Sequence, residues 1–209
     1  TIKADYWNTE INDVISYVGA QTIVNRDNGS EARPIPPGLS IRRNPANGAI
    51  IQIISGSTNE GVLKYSGIDA GATFSHKYAS LGKFRHDLQW SHVMKSEVNG
   101  SDFNGTFGSP KDRIALNNTW SLGPVDVAYN INVIAKNGDK ENLYVPSYVL
   151  NDIQVTYSPS FAKGMKLSIG MVNAFNKQPA LVSDSSKPFN YNLYDAYGRQ
   201  TYFKLEQKF

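Results

Sequence analysis

The chain has 209 residues, 21 basic against 18 acidic, a net charge of +3 and no cysteine. So mild and evenly spread a balance argues against nucleic acid as a partner, and the lack of thiols excludes disulfides, thiolate metal sites and cysteine nucleophiles. No apolar run approaches the roughly 20 residues that a membrane helix needs. Barrel strands escape that test, because they hide their hydrophobicity in alternation.

Taken in order, the opening TIKADYWNTEIND has no basic region, apolar core or small-residue cleavage site, and it reads as the middle of a strand. The chain is therefore expected to begin mid-domain. Ile2–Asn12 is the first predicted strand, with Ile2, Ala4 and Tyr6 alternating with Lys3, Asp5 and Trp7. Asp13–Asn25 has the spacing of a short helix, weakened by Gly19. Arg26–Gly48 is a long irregular segment with four prolines, followed by a small apolar strand at Ala49–Ile54.

Alternation returns over Val62–His76 and again, after a short turn, over Phe84–Lys95. A glycine-rich loop at Glu97–Pro110 leads to a strand holding Ile114, Leu116, Trp120 and Leu122 on one face. Beyond the minimal turn Gly123-Pro124, Val125, Val127, Tyr129, Ile131, Val133 and Ala135 face one way, and Asp126, Ala128, Asn130, Asn132 and Lys136 the other. Strands at Tyr148–Tyr157 and Met165–Met171 follow, then a long loop over Asn173–Gly198 and a final strand at Arg199–Phe209.

That makes eight principal strands whose connections alternate between long and short. The pattern predicts an all-β, antiparallel transmembrane β-barrel segment, with long extracellular loops and short periplasmic turns. A soluble sandwich has no reason to sort its loops by length. Asp126, Lys136, Asp152 and Lys166 all fall opposite the aliphatic rows, and Trp90, Trp120 and Tyr157 are candidates for the interfacial aromatic girdle.

Four stretches then resemble one family. ADYWNTEINDVIS, VLKYSGIDAGA (Val62–Ala72), MVNAFNKQP (Met171–Pro179) and YDAYGRQTYFKLEQKF (Tyr194–Phe209) are similar, in that order, to segments of TonB-dependent outer-membrane receptors. Ala174 stands where leucine is usual, and Gln207 where an apolar or aromatic residue is usual. The resemblance implies that residues 1–209 are the last eight strands of a barrel of about 22. It further implies a plug domain and a TonB-contacting segment outside this sequence, earlier strands of the same receptor beside the first strand, and the outer membrane of a Gram-negative bacterium as the setting. Partners implied are outer-membrane lipid and lipopolysaccharide, TonB through the missing part, and the barrel-assembly machinery, for which Phe203, Leu205 and Phe209 form the terminal signal. The activity implied is uptake of a scarce nutrient, a ferric siderophore or a carbohydrate or peptide. Eight strands could instead close alone as a small barrel with a structural or adhesive role.

No cofactor is expected. Arg33, Arg42 and Arg43 form a basic loop suited to a carboxylate, phosphate or chelated metal. Tyr144, Tyr191, Tyr194 and Tyr197 lie in or beside external loops, where aromatic rings stack on sugars or siderophore rings. His86 and His92 are about 20 Å apart along a strand and cannot share an ion, whereas His76 and His86 flank one turn. Asp27–Ser30 and Asn99–Asn104 are oxygen-rich but lack calcium-loop spacing. No nucleophile elbow, zinc-protease motif or phosphate loop is present, so no catalytic residue is assigned.

Overall fold

The structure, a computed structural model, describes residues 1–139, 143–182 and 188–208. In chain order it contains β1 (Ile2–Val18), α1 (Ala20–Asp27), β2 (Ser40–Arg43), β3 (Ile50–Ile54), β4 (Gly56–Tyr78), β5 (Gly82–Val98), β6 (Ser101–Asp102), β7 (Asp112–Leu122), β8 (Val125–Ile134), β9 (Tyr148–Tyr157), β10 (Met165–Val172) and β11 (Gln200–Gln207). The residues group into two compact units: Thr1–Asn8, Tyr65–Ser96 and Phe103–Phe209 in one, and Thr9–Lys64 with Glu97–Asp102 in the other.

The first unit is built on an antiparallel sheet in the order β1-β4-β5-β7-β8-β9-β10-β11. Its eight long strands are the eight predicted ones. Among the described residues β1 and β11 do not pair, so the sheet does not close on itself as a small barrel. The registers keep the two faces apart. Val127 lies opposite Val155, and Tyr129 opposite Ile153, while Asp126 meets Thr156 and Ala128 meets Gln154. Across β10 and β11, Leu167 faces Leu205 and Ile169 faces Phe203, whereas Lys166 faces Glu206 and Ser168 faces Lys204.

The apolar face of this sheet is left open. Phe203 is 68% exposed, Leu205 61% and Ile169 56%. A soluble sheet would cover such a row; a barrel turns it to lipid. The buried apolar cluster lies instead at the long-loop end, where Val145, Tyr148 and Tyr194 pack with Phe107, Leu150 and Phe189.

Several polar side chains on the apolar face are hydrogen-bonded to one another there. His86 Nδ1 is 2.7 Å from Asn118 Oδ1, Asn118 Nδ2 donates to the Tyr129 carbonyl oxygen, and the Tyr129 hydroxyl donates to Asn151 Oδ1. In a medium without water that pairing is what makes them tolerable. Trp120 donates from Nε1 to the carbonyl oxygen of Leu81, and Trp90 from Nε1 to Asp112 Oδ1, which lies 2.7 Å from His92 Nδ1.

The second unit holds the ends of β1, β4 and β5 together with α1, the β2–β3 hairpin and β6. Here the chain departs from expectation. The predicted helix over Asp13–Asn25 is a strand as far as Val18, and the helix begins only at Ala20, with Gly19 as its N-cap. Asp13 has φ of 58° inside the strand. The exposed apolar residues of β1 lie at even positions at first (Ile2, Tyr6) and at odd positions from Ile11 onward (Ile11, Ile15, Tyr17). The alternation thus changes parity between Tyr6 and Ile11, upstream of Asp13, and the spacing of Val14, Ile15 and Val18 imitates a helix within a strand. The segment Arg26–Gly48 is not wholly irregular: Ser40–Arg43 pairs with Ile50–Ile54. β5 also continues past its predicted end to Val98, where the turn Asn99-Gly100 returns the chain to Ser101 and Asp102.

Candidate functional site

Two clefts stand at the loops. The first lies within the sheet-bearing unit, has a volume of about 520 Å³ and is lined by Phe189, Tyr191, Tyr194, Asp195, Ala196 and Tyr197. Phe189 and Tyr191 meet edge to face with ring centroids 4.3 Å apart. Tyr191 and Tyr197 are 53% and 81% exposed, so both rings are open to a ligand. Tyr194, expected to face ligand, is only 5% exposed. Its ring packs edge to face on Tyr148, and its hydroxyl accepts from Asn137 Nδ2 at 2.7 Å. Burial raises the Tyr194 phenol above its ordinary value, against a lowering by the Asn137 hydrogen bond. Tyr194 thus holds the loops together. Tyr144, 45% exposed, does not line the cleft.

Asn137 joins three loops. It exchanges backbone hydrogen bonds with Val145 at 3.0 and 2.8 Å, accepts the Gly108 N–H on Oδ1 and donates to Tyr194. At 1% exposure its polar groups are fully used.

The second cleft, about 330 Å³, lies within the other unit, between the end of β1, α1 and the start of β4. Its floor is Arg26, a residue outside the predicted set. The side chain is 3% exposed; Nε donates to Glu31 at 2.9 Å, Nη1 and Nη2 reach the two Glu60 oxygens at 3.0 and 2.8 Å, and Nη1 also reaches the Pro34 carbonyl oxygen. The Glu60 hydrogen bonds are the main cause of a guanidinium pKa above its usual value. A signal for it existed, since Arg26 lies in the last turn of a helix, where cations are favoured. Its acidic partners are remote in sequence and could not be read.

The three arginines of the predicted basic loop do not act as one cluster. Arg33 donates to the carbonyl oxygen of Glu60 at 3.3 Å and lines the second cleft. Arg43 pairs with Asp27 at 2.8 Å and donates to the Gly48 carbonyl oxygen, while Arg42 is exposed on the β2–β3 hairpin. The oxygen-rich loops are turns: Asn28 Oδ1 accepts the Ser30 N–H, and Asn99 Oδ1 accepts the Val62 N–H. The His76 and His86 rings stack 5.6 Å apart within a group that includes Phe74, Tyr78 and Phe84. Among the described residues no group of three or more acidic or histidine side chains could hold a metal ion.

The resembling motifs meet in space. Trp7, of the ADYW stretch, lies against Gly67, of the YSGID stretch, so closely that a β-carbon at Gly67 would collide with the indole and with the His92 carbonyl oxygen. Asn173, 5% exposed, binds the Lys177 backbone through both ends of its carboxamide, and Asn176 Oδ1 accepts the Arg199 N–H at 3.0 Å. Gln207, the residue at odds with the family pattern, donates to the Lys163 carbonyl oxygen at 3.1 Å and so ties the last strand to the turn before β10. Leu205 and Phe203 lie on the open apolar row; Phe209 is outside the described residues.

An open antiparallel sheet with one lipid-type face, one polar face and long loops at one end defines an outer-membrane barrel wall. The family model for TonB dependent receptor-like, beta-barrel matches residues 1–174, and the chain belongs to that family. It is a transporter family of the Gram-negative outer membrane, not an enzyme family, and it works with TonB and a plug domain. Comparison with curated proteins and with solved structures gave no match.

Proposed function

We propose that this chain supplies the last spanning strands, and the associated outer loops, of a receptor that imports a scarce nutrient with TonB-derived energy. The reading rests above all on the open sheet. β1 and β11 leave unpaired outer edges among the described residues, and a barrel wall of this kind continues into neighbouring strands. The plug and the TonB-contacting segment belong to other parts of the same receptor.

In this reading the short turns face the periplasm and the long-loop end faces outside. Tyr191, Tyr197 and Arg33 are the loop residues best placed to touch ligand, with Tyr144 and Arg42 at other exposed positions. Phe203, Leu205 and Phe209 serve assembly by the barrel machinery, and lipopolysaccharide surrounds the outer rim. The chemistry is capture and passage, with no covalent step.

The test is uptake by cells carrying the intact receptor, with and without TonB. Uptake that stops when TonB is deleted supports the proposal; uptake indifferent to TonB, or a receptor gene encoding no plug, contradicts it.

A further inference from the structure

We infer that the cleft over Arg26 binds a neutral, polyhydroxylated ligand, the end of an oligosaccharide, and does not bind an anion. The inference rests on the transport reading and narrows its substrate class. Binding an anion calls for a cation whose charge is not already matched. Arg26 is matched twice over, by Glu31 at 2.9 Å and by both oxygens of Glu60 at 2.8 and 3.0 Å. With Arg33 added, the cleft carries two positive and two negative side chains and no net charge. An approaching carboxylate or phosphate meets Glu31 and Glu60, 34% and 23% exposed, as readily as it meets Arg33.

What the cleft offers in quantity is mixed hydrogen bonding. Arg33 spends one of its five N–H groups on the Glu60 carbonyl oxygen. Asn99 accepts the Val62 N–H on Oδ1 at 2.8 Å, which leaves its NH₂ as a donor. Thr22 and Ser16 bring hydroxyls that donate and accept, and the carboxylates of Glu31 and Glu60 have lone pairs beyond those facing Arg26. Sugar hydroxyls, each both donor and acceptor, match such a lining. Tyr17 adds a ring that is 69% exposed and held in place by its hydroxyl, 2.9 Å from Ser55 Oγ, and such a ring can lie against the C–H face of a pyranose. The volume, about 330 Å³, is at the small end of ligand clefts and suits a terminal sugar better than a bulky metal chelate.

The experiment uses the intact receptor in outer-membrane vesicles. The probes are fluorescent cellohexaose, xylohexaose, mannohexaose and maltohexaose, with hexagalacturonate and a ferric catecholate as charged comparisons. The expected result is saturable binding of at least one neutral hexasaccharide, not competed by the catecholate, and weakened about tenfold by Arg33→Ala and by Asn99→Ala, the loss of a hydrogen bond or two. Arg33→Lys, which keeps the charge but loses the planar fork, is expected to fall between Arg33→Ala and the parent. Heat-modifiable mobility of each variant verifies that its barrel has assembled. Binding of charged probes alone, no binding of any neutral hexasaccharide, or neutral binding unchanged in every variant overturns the inference. Uptake of the same probes separates the two readings: TonB-dependent entry of the ferric catecholate without any sugar overturns only the substrate class, whereas TonB-independent entry overturns the transport reading itself.

Discussion

Gly67 and Gly170 show how much of the wall is decided by single residues. At Gly170 the Tyr202 ring lies over the backbone and its hydroxyl donates to Gln154 at 2.7 Å; at Gly67 the partner is Trp7. In both cases an aromatic ring on the polar face occupies the space of a missing side chain on the next strand. Gly67→Val should therefore destabilise the assembled barrel by about 1–3 kcal/mol, as overpacking does. Adding Trp7→Ala should recover part of it, read by urea unfolding in lipid. Asn137→Leu should loosen the loops by about 1–3 kcal/mol, because the Gly108 N–H and the Tyr194 hydroxyl both lose a buried partner; protection of the Gly108 amide from exchange would report it. The Tyr194 phenol, raised by burial, favours its neutral form in the folded state. Its contribution is present below the ordinary tyrosine value of 10.0 and is lost as pH rises through the folded value. The absorbance titration of the parent minus that of Tyr194→Phe should show a phenol ionising above the ordinary tyrosine value. The motifs that Trp7, Gly67, Asn173 and Asn176 belong to were legible as a resemblance. Their meeting was not, because it depends on the strand order and on the fold of a long loop.

At the scale of elements, the strands with unbroken alternation were the legible ones. β8 and β9 lie where the pattern puts them, because apolar and polar residues alternate along most of their length and keep to opposite faces of the sheet. The illegible ones have a local exception. The parity of β1 changes within the strand, between Tyr6 and Ile11, and Val14, Ile15 and Val18 have helical spacing, so its last stretch read as helix; Gly19 read as a weakness inside that helix and is the residue before it. Ser40–Arg43 has two arginines and no alternation of its own, and it is a strand only because Ile50–Ile54 pairs with it. The polar pairs on the apolar face were equally hidden, since Asn118 reads as a misplaced residue until His86 is set beside it. Asn118→Ala should leave His86 without its partner and destabilise the barrel more than Asn117→Ala, on the polar face, read by the same urea unfolding. The two faces make a depth-dependent prediction as well: Ile131→Arg should cost about 2–4 kcal/mol near mid-bilayer, while Asn130→Arg on the adjacent strand position should be tolerated.

For the molecule as a whole, the central claim is that one face of the sheet meets lipid and the other a wet lumen, in a wall continued by other strands. The continuation predicts that cysteines on the outer edges of β1 and β11 do not crosslink to each other in the intact receptor, and efficient crosslinking between them would mean a small closed barrel. The two faces can be tested more directly still. The chain has no cysteine, so a single cysteine placed from Val125 to Ile134 is the one thiol within these 209 residues. In outer membranes, a membrane-impermeant maleimide should label positions 126, 128, 130 and 132, and a lipid-soluble quencher should reach probes at 127, 129, 131 and 133. That strict alternation over the length of β8 is the result the account predicts. Uniform labelling by the aqueous reagent, or alternation with the parities exchanged, would contradict it.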